Sequence, residues 1–196
     1  MRRAVITGLG AVTPIGNSAP ATWEAAVAGR SGIDTIRSFD ASAFPVRIAA
    51  EVKGFEGGDV APPKEARRME RNVLLALAAA KEAWADAGAE HYDRERVGIV
   101  LGSAIGGLIG IVEQAEILRE RGPDRVSPVF LPNVLVDSAS GQIAISLGFR
   151  GPNYAPVSAC ATGSHAVGEA AETIKRGAAD IVLAGGTEAC MHPLIL

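Results

Sequence analysis

The 196-residue sequence predicts an α/β fold, a mainly parallel sheet carrying helices on both faces. Three observations carry that expectation. Residues 4–8, 97–101 and 180–184 are short apolar runs without polar alternation, the pattern of strands buried on both faces. Longer segments with apolar residues at three- and four-residue spacing lie between them, the pattern of amphipathic helices. Glycine, present 23 times, stands after most of these segments and punctuates them. No low-complexity tract, internal repeat or linker divides the chain, so one domain is expected.

Residues 4–8, Ala-Val-Ile-Thr-Gly, are the first expected strand. The Gly8-Leu9-Gly10 around its end invites a dinucleotide-binding reading. The third glycine of that fingerprint would fall at Thr13, before Pro14, and no acidic residue ends a following strand, so the reading is set aside. Residues 21–28 read as a short helix with Trp23 and Val27 on one face. Periodicity weakens over residues 29–63, where residues 45–52 form a strand candidate among turn-rich flanks.

Residues 64–87 make the longest helical pattern, with Met69, Val73, Leu77, Ala80 and Trp84 in one stripe and Gly88 as a stop. Lys64, Arg67, Arg68 and Arg71 crowd its first turns, where cations oppose the macrodipole. They read either as a solvated helix start or as a basic patch that docks an acidic partner. After the strand at 97–101 comes Gly102-Ser103-Ala104-Ile105-Gly106-Gly107, which lacks the Lys-Ser/Thr of a phosphate-cradling loop. Helices are expected over 108–119 and over 132–147, the latter with Leu135, Ala139, Ile143 and Leu147 on one face before Gly148. Residues 154–159 read as a strand, 160–175 as a helix, and 180–184 as a strand running into Gly185-Gly186-Thr187-Glu188.

Composition narrows the function. Hydrophobic residues at 48% and charged residues at 21% describe a globular chain, and with aromatics at 5% its core must come from Ala, Val, Ile and Leu. A net charge of −3 argues against whole-chain attraction to nucleic acid or an anionic membrane. No apolar run is long enough for a membrane span, and the apolar start is too short for a signal sequence. Cys160 and Cys190 make neither a disulfide framework nor a metal-spacing motif. A cytoplasmic protein without a metal site is the expectation.

Cys160 is the candidate for chemistry. It stands at the joint between an expected strand and an expected helix, where the first backbone N–H groups lack intrahelical partners and the dipole favours a thiolate. Ala159, Ala161, Gly163, Ser164 and Ala166 are small and leave room for close approach. At the carboxyl edge of a parallel sheet, this is also where α/β folds place ligands. A buried structural cysteine is the alternative reading. A nucleophile needs a base, and none is local: His165, five residues on, lies about 140° around the helix and reads as a packing residue. His91 and His192 have no periodic context near the joint.

The motifs in order are V-I-T-G-L-G-A-V-T-P-I-G-N, K-E-A-R-R-M, G-S-A-I-G-G-L, G-P-N-Y-A-P-V-S-A-C-A-T-G-S-H-A and A-D-I-V-L-A-G-G-T-E-A. Together they resemble the elongating beta-ketoacyl-acyl-carrier-protein synthases of type II fatty-acid synthesis, relatives of the polyketide ketosynthases. The resemblance implies a thiolase-like fold of two pseudo-symmetric halves, with residues 1–196 forming the first. It implies that Cys160 accepts an acyl chain as a thioester, and that malonyl carrier protein is then decarboxylated and attacks it. The family's catalytic histidines and lysine belong to the second half, which would explain the missing base and leave this chain incomplete for condensation. By the same resemblance Ile105 and Phe130 line the acyl site, the latter across a homodimer interface. Lys64, Arg67, Arg68 and Arg125 would dock the acyl carrier protein, with Asp124 weakening that patch locally. No resident cofactor is implied, since phosphopantetheine comes with the carrier. A polyketide-type ketosynthase, or a non-catalytic half-domain acting as an interaction partner, is the alternative.

Overall fold

A computed structural model describes residues 2–196. Its framework is a three-stranded parallel sheet in the order β4-β3-β5, made of β3 (Val97–Gly102), β4 (Asn153–Tyr154) and β5 (Ile181–Gly186). Register places Ile99 beside Leu183 and Val100 beside both Ala184 and Tyr154. Every residue of β3 is buried, as its unbroken Val-Gly-Ile-Val-Leu-Gly run requires of a strand covered on both faces. Val97, Ile99 and Leu101 face a core shared with Val73, Leu77, Ala80, Ala139, Ile143 and Phe149. Val100, fully buried, takes the opposite face by the two-residue alternation of a strand.

Two helices supply that first core. α3 (Arg71–Ala87) carries the predicted stripe and ends on Gly88, whose left-handed backbone (φ 57°) suits a residue without Cβ. α6 (Ser138–Leu147) packs Ala139 and Ile143 between α3 and β3. The other face of the sheet is covered by α7 (Thr162–Lys175), whose buried Ala166 and Ala170 bring the helix close to β3 and β5. Trp84, Tyr92 and Phe149 close one end of the core as an aromatic triad with centroids 4.5–5.8 Å apart. The remaining helices are α1 (Ala19–Val27), α2 (Pro63–Ala66), α4 (Leu108–Arg121) and α5 (Phe130–Val134).

Several expectations are corrected. Residues 4–8 form no strand; the backbone beside α3 is held by its acids instead, with Leu9 N–H donating to Asp86 Oδ2 at 2.9 Å and Ala11 N–H to Glu82 Oε2 at 2.9 Å. The apolar run is therefore not buried: Val5 and Ile6 are 61% and 77% exposed. Trp23 and Val27 of α1 also face outward, and Ala25 is that helix's buried residue. The segment read as weakly patterned contains an antiparallel pair, β1 (Ile33–Thr35) with β2 (Ile48–Ala50), the latter a shorter strand than residues 45–52.

The helix expected over 64–87 is two. Glu70 adopts an extended ψ of 154° and separates α2 from α3. Arg67 then caps the end of a short helix rather than standing inside the start of a long one, and Lys64 lies within that single turn. The helix expected over 132–147 breaks likewise: Leu135 is extended (ψ 150°), and Ser138 Oγ donates to Pro132 O at 2.6 Å across the break. Residues 154–159 pair with β3 only at Tyr154. No helix among the described residues is long and apolar enough to cross a membrane.

Candidate active site

The parallel strands β3 and β5 end side by side at Gly102 and Gly186. Beyond these carboxyl ends lies a cleft of about 380 Å³, lined by Gly102 at the end of β3 with Ser103 and Ala104 after it, by Ala159 and Cys160 ahead of α7 with Thr162 and Gly163 in its first turn, and by Gly186 at the end of β5 with Thr187 and Glu188 after it. Cys160 is exposed there, which rules out the buried structural cysteine. The sheet thus places Cys160 where an α/β fold binds ligands.

The turn that presents Cys160 is made locally. Ala159 has φ 51°, and it is the one non-glycine residue with positive φ among the described residues. A side chain in that region is strained, and here the strain falls on the residue immediately before the thiol. Thr162, buried, closes the turn from inside: its Oγ1 accepts the Ser158 N–H at 2.9 Å. Residues Ala159–Ala161 form a single 3-10 turn ahead of α7. This changes the expected helix start, because Ala161 N–H is taken by Ser158 O at 3.1 Å and Thr162 N–H by Ala159 O.

Glycines let the pieces meet. A Cβ on Gly102 would stand 2.2 Å from Pro156 O and 2.8 Å from Thr162 Cγ2, so only glycine allows the strand end to approach the turn. Gly163 and Gly186 meet in the same way, backbone against backbone.

No histidine lines the cleft among the described residues. His165 is exposed rather than packed, with Nδ1 2.6 Å from Ser158 Oγ. Cys190 is half-buried, and burial followed by the charge of Glu188 pushes its thiol up.

Of the other sequence candidates, Ile105 directly follows the lining residue Ala104 and is 38% exposed, outside the lining itself. Phe130 is half-buried at the start of α5. Lys64, Arg67, Arg68 and Arg125 are all exposed and form no ion pair among the described residues. Lys64, Arg67 and Arg68 gather at α2 and the turn after it, and Arg125 ends a separate 3-10 turn beyond α4. Asn133 of α5 donates through Nδ2 to Arg68 O, so the basic turn and the Phe130 helix are tied together.

Sequence reasoning missed Ser103, Thr162 and Glu188. Ser103 Oγ donates to Glu188 Oε1 at 2.9 Å, and Ala104 N–H donates to Glu188 Oε2 at 2.9 Å. The signal available was positional: Ser103 and Glu188 each follow the end of an expected strand, and parallel strands bring such ends together.

With this geometry in view, comparison with known proteins decides the family. The model of the beta-ketoacyl synthase N-terminal domain matches residues 1–196. The chain belongs to the beta-ketoacyl synthase family. It is 46% identical over 190 residues to a 3-oxoacyl-[acyl-carrier-protein] synthase 2 of Staphylococcus aureus, covering 96% of this chain and 46% of that protein. A synthase of the same name from Coxiella burnetii is 43% identical over 195 residues, 98% of this chain and 47% of its own length. Among solved structures, a beta-ketoacyl synthase from Burkholderia phymatum superposes with a TM-score of 0.85 at 30% identity, over 100% of this chain and 49% of that one. The thiolase-like expectation is met, and the chain spans about half the length of the curated relatives it matches.

Proposed function

We propose that this chain is the acyl-accepting half of a 3-oxoacyl-[acyl-carrier-protein] synthase, with Cys160 as the acceptor. One observation carries the reading: in a chain that matches the ketosynthase family throughout, Cys160 is exposed on a left-handed turn in the cleft at the carboxyl ends of β3 and β5. The Cys160 sulfur attacks the carbonyl carbon of an acyl thioester. The tetrahedral intermediate collapses, the carrier's phosphopantetheine thiol leaves with the proton, and the acyl group stays on Cys160. Decarboxylation of a malonyl thioester then supplies a carbanion. It attacks the acyl carbonyl, expels the Cys160 thiolate and forms the beta-ketoacyl product. The histidines and lysine that assist this second step belong, by family resemblance, to a second half of similar fold. No resident cofactor takes part.

The acidic carrier protein docks on Lys64, Arg67, Arg68 and Arg125, exposed cations free of internal ion pairs among the described residues. Ile105 and Phe130 bound the acyl chain, and the working protein is a cytoplasmic homodimer. The test is covalent labelling with cerulenin followed by peptide mass mapping. An adduct on Cys160 that is absent in Cys160→Ala is expected, and an unlabelled Cys160 overturns the assignment.

A further inference from the structure

Glu188 spans the mouth of the cleft between its two strand ends. Its carboxylate accepts Ser103 Oγ–H through Oε1 and Ala104 N–H through Oε2, both at 2.9 Å. Ser103 passes the link on: its oxygen accepts the Gly106 N–H at 2.8 Å, and the residue is 1% exposed. A buried hydroxyl used at once as donor and acceptor has one orientation. The far end of the same turn is fixed too, because Gly107 N–H donates to Val134 O at 3.0 Å. Ile105 stands between these two anchors.

The arm that carries the carboxylate is itself rigid. Thr187 N–H extends the β3–β5 ladder to Gly102 O at 3.0 Å, and Thr187 Oγ1 donates to Asn72 O at 2.7 Å. Residue 188 therefore leaves a backbone pinned to both β3 and α3. Two hydrogen bonds to a carboxylate are stronger than two to a neutral acceptor, and they act on adjacent residues of one turn. A side chain that only solubilised the strand end would need neither.

We propose that Glu188 is a positioning residue that sets the Ser103–Gly107 turn, and through it the place of Ile105 beside the Cys160 cleft. The consequence is selectivity for the size of a group attached at Cys160, because Ser103 and Ala104 wall the cleft that receives it. This rests on the reading of Cys160 as acyl acceptor. Glu188 does not touch the reacting atoms; it acts through Ser103 and Ala104.

Two measurements test it on wild-type protein and the variants Glu188→Ala, Glu188→Gln and Ser103→Ala. The first is amide exchange resolved at Ala104 and Gly106. Glu188→Ala should speed exchange at both by about tenfold or more, whereas Ser103→Ala should release Gly106 and spare Ala104. The second is the ratio of alkylation rates at Cys160 for N-octylmaleimide and N-ethylmaleimide, with Cys190 separated by mass mapping. That ratio cancels the intrinsic reactivity of the thiol, and it is read in variants whose Tm matches wild type, so that general loosening of the fold is kept apart from a change in the turn. It should shift by about threefold or more in Glu188→Ala and Ser103→Ala and return toward wild type in Glu188→Gln, which keeps an acceptor for Ala104. An unchanged ratio in Glu188→Ala, or an Ala104 amide as protected as in wild type, overturns the proposal. A wild-type Cys160 indifferent to alkyl length would count against the acyl-acceptor reading instead, and the tether would then stand or fall on the Ala104 amide.

Discussion

Arg96 grips Asp180 with two nitrogens, Nε to Oδ2 at 3.1 Å and Nη2 to Oδ1 at 3.0 Å. Arg2 adds a third contact, Nη1 to Oδ1 at 2.7 Å. Arg96 also donates to Gly177 O at 2.8 Å, so one guanidinium ties the entry of β3 to the turn between α7 and β5. Hydrogen bonds from Arg96 and then Arg2 hold the Asp180 carboxyl down from 3.8 to about 2. A carboxyl lowered in the folded state stabilises above its unfolded value, and that contribution is lost as pH falls through the folded one. Asp180→Asn should therefore lower Tm at neutral pH. Its difference from wild type should shrink as pH falls from about 4 to about 2, which melting curves across that range would read. A difference independent of pH would contradict the ion pair's role.

Glu70 titrates in the opposite sense. Burial, followed by the charge of Glu113, raises its carboxyl above the ordinary value of 4.5. The folded state then holds the proton more tightly than the unfolded chain, so stability falls as pH rises through the raised value. Glu70→Gln should raise Tm at neutral pH and lose that advantage in acid. The same carboxylate lies against α4, where a Cβ on Gly110 would stand 2.1 Å from Glu70 Oε1. Gly110→Ala displaces only the flexible end of Glu70 and gains helix propensity, so it should change stability by no more than about 1 kcal/mol in denaturant unfolding, and a double-mutant cycle with Glu70→Ala should show coupling between the two.

How far the sequence predicted this molecule depends on the range of the interaction. The α3 stripe, Gly88, β3, α7 and β5 are legible because each is a local period or a local stop. The apolar residues 4–8 resemble a buried strand, but pairing is non-local, and here Asp86 and Glu82 take the neighbouring amides. The breaks at Glu70 and Leu135 carry neither proline nor glycine, and the periodic apolar pattern continues through both. Cys160 is legible from the strand-to-helix joint beside it, whereas Glu188 becomes visible only when β3 and β5 are laid side by side.

Leu77 tests the core that supports the site. It is fully buried between α3, α6 and β3, in contact with a cluster that includes Val97, Ile99 and Ile143. Leu77→Ala should destabilise by about 2–5 kcal/mol in urea unfolding, from lost transfer energy together with the cavity left behind. Trp23→Ala, which removes an exposed ring, should change monomer stability by less than about 0.5 kcal/mol.

The turn before the thiol makes the sharpest demand. Ala159 at φ 51° stores strain that glycine would not, while glycine gains entropy in the unfolded chain that alanine does not. These effects oppose, so Ala159→Gly should shift stability by no more than about 1 kcal/mol. Its effect on the site should be larger. The alanine has few alternatives to its left-handed position once Thr162 accepts the Ser158 amide and Gly102 seats against Pro156. Glycine has many, so the Cys160 side chain loses its fixed presentation to the cleft. Alkylation of Cys160 by a long-chain reagent should slow in Ala159→Gly with Tm nearly unchanged. Ala159→Val should lower Tm outright, because a β-branched residue fits this region worst. Gly102→Ala, whose Cβ would collide with Pro156 O at 2.2 Å, should do both at once. If Ala159→Gly left the long-chain rate at the wild-type value, strain at residue 159 would be incidental to the thiol's placement.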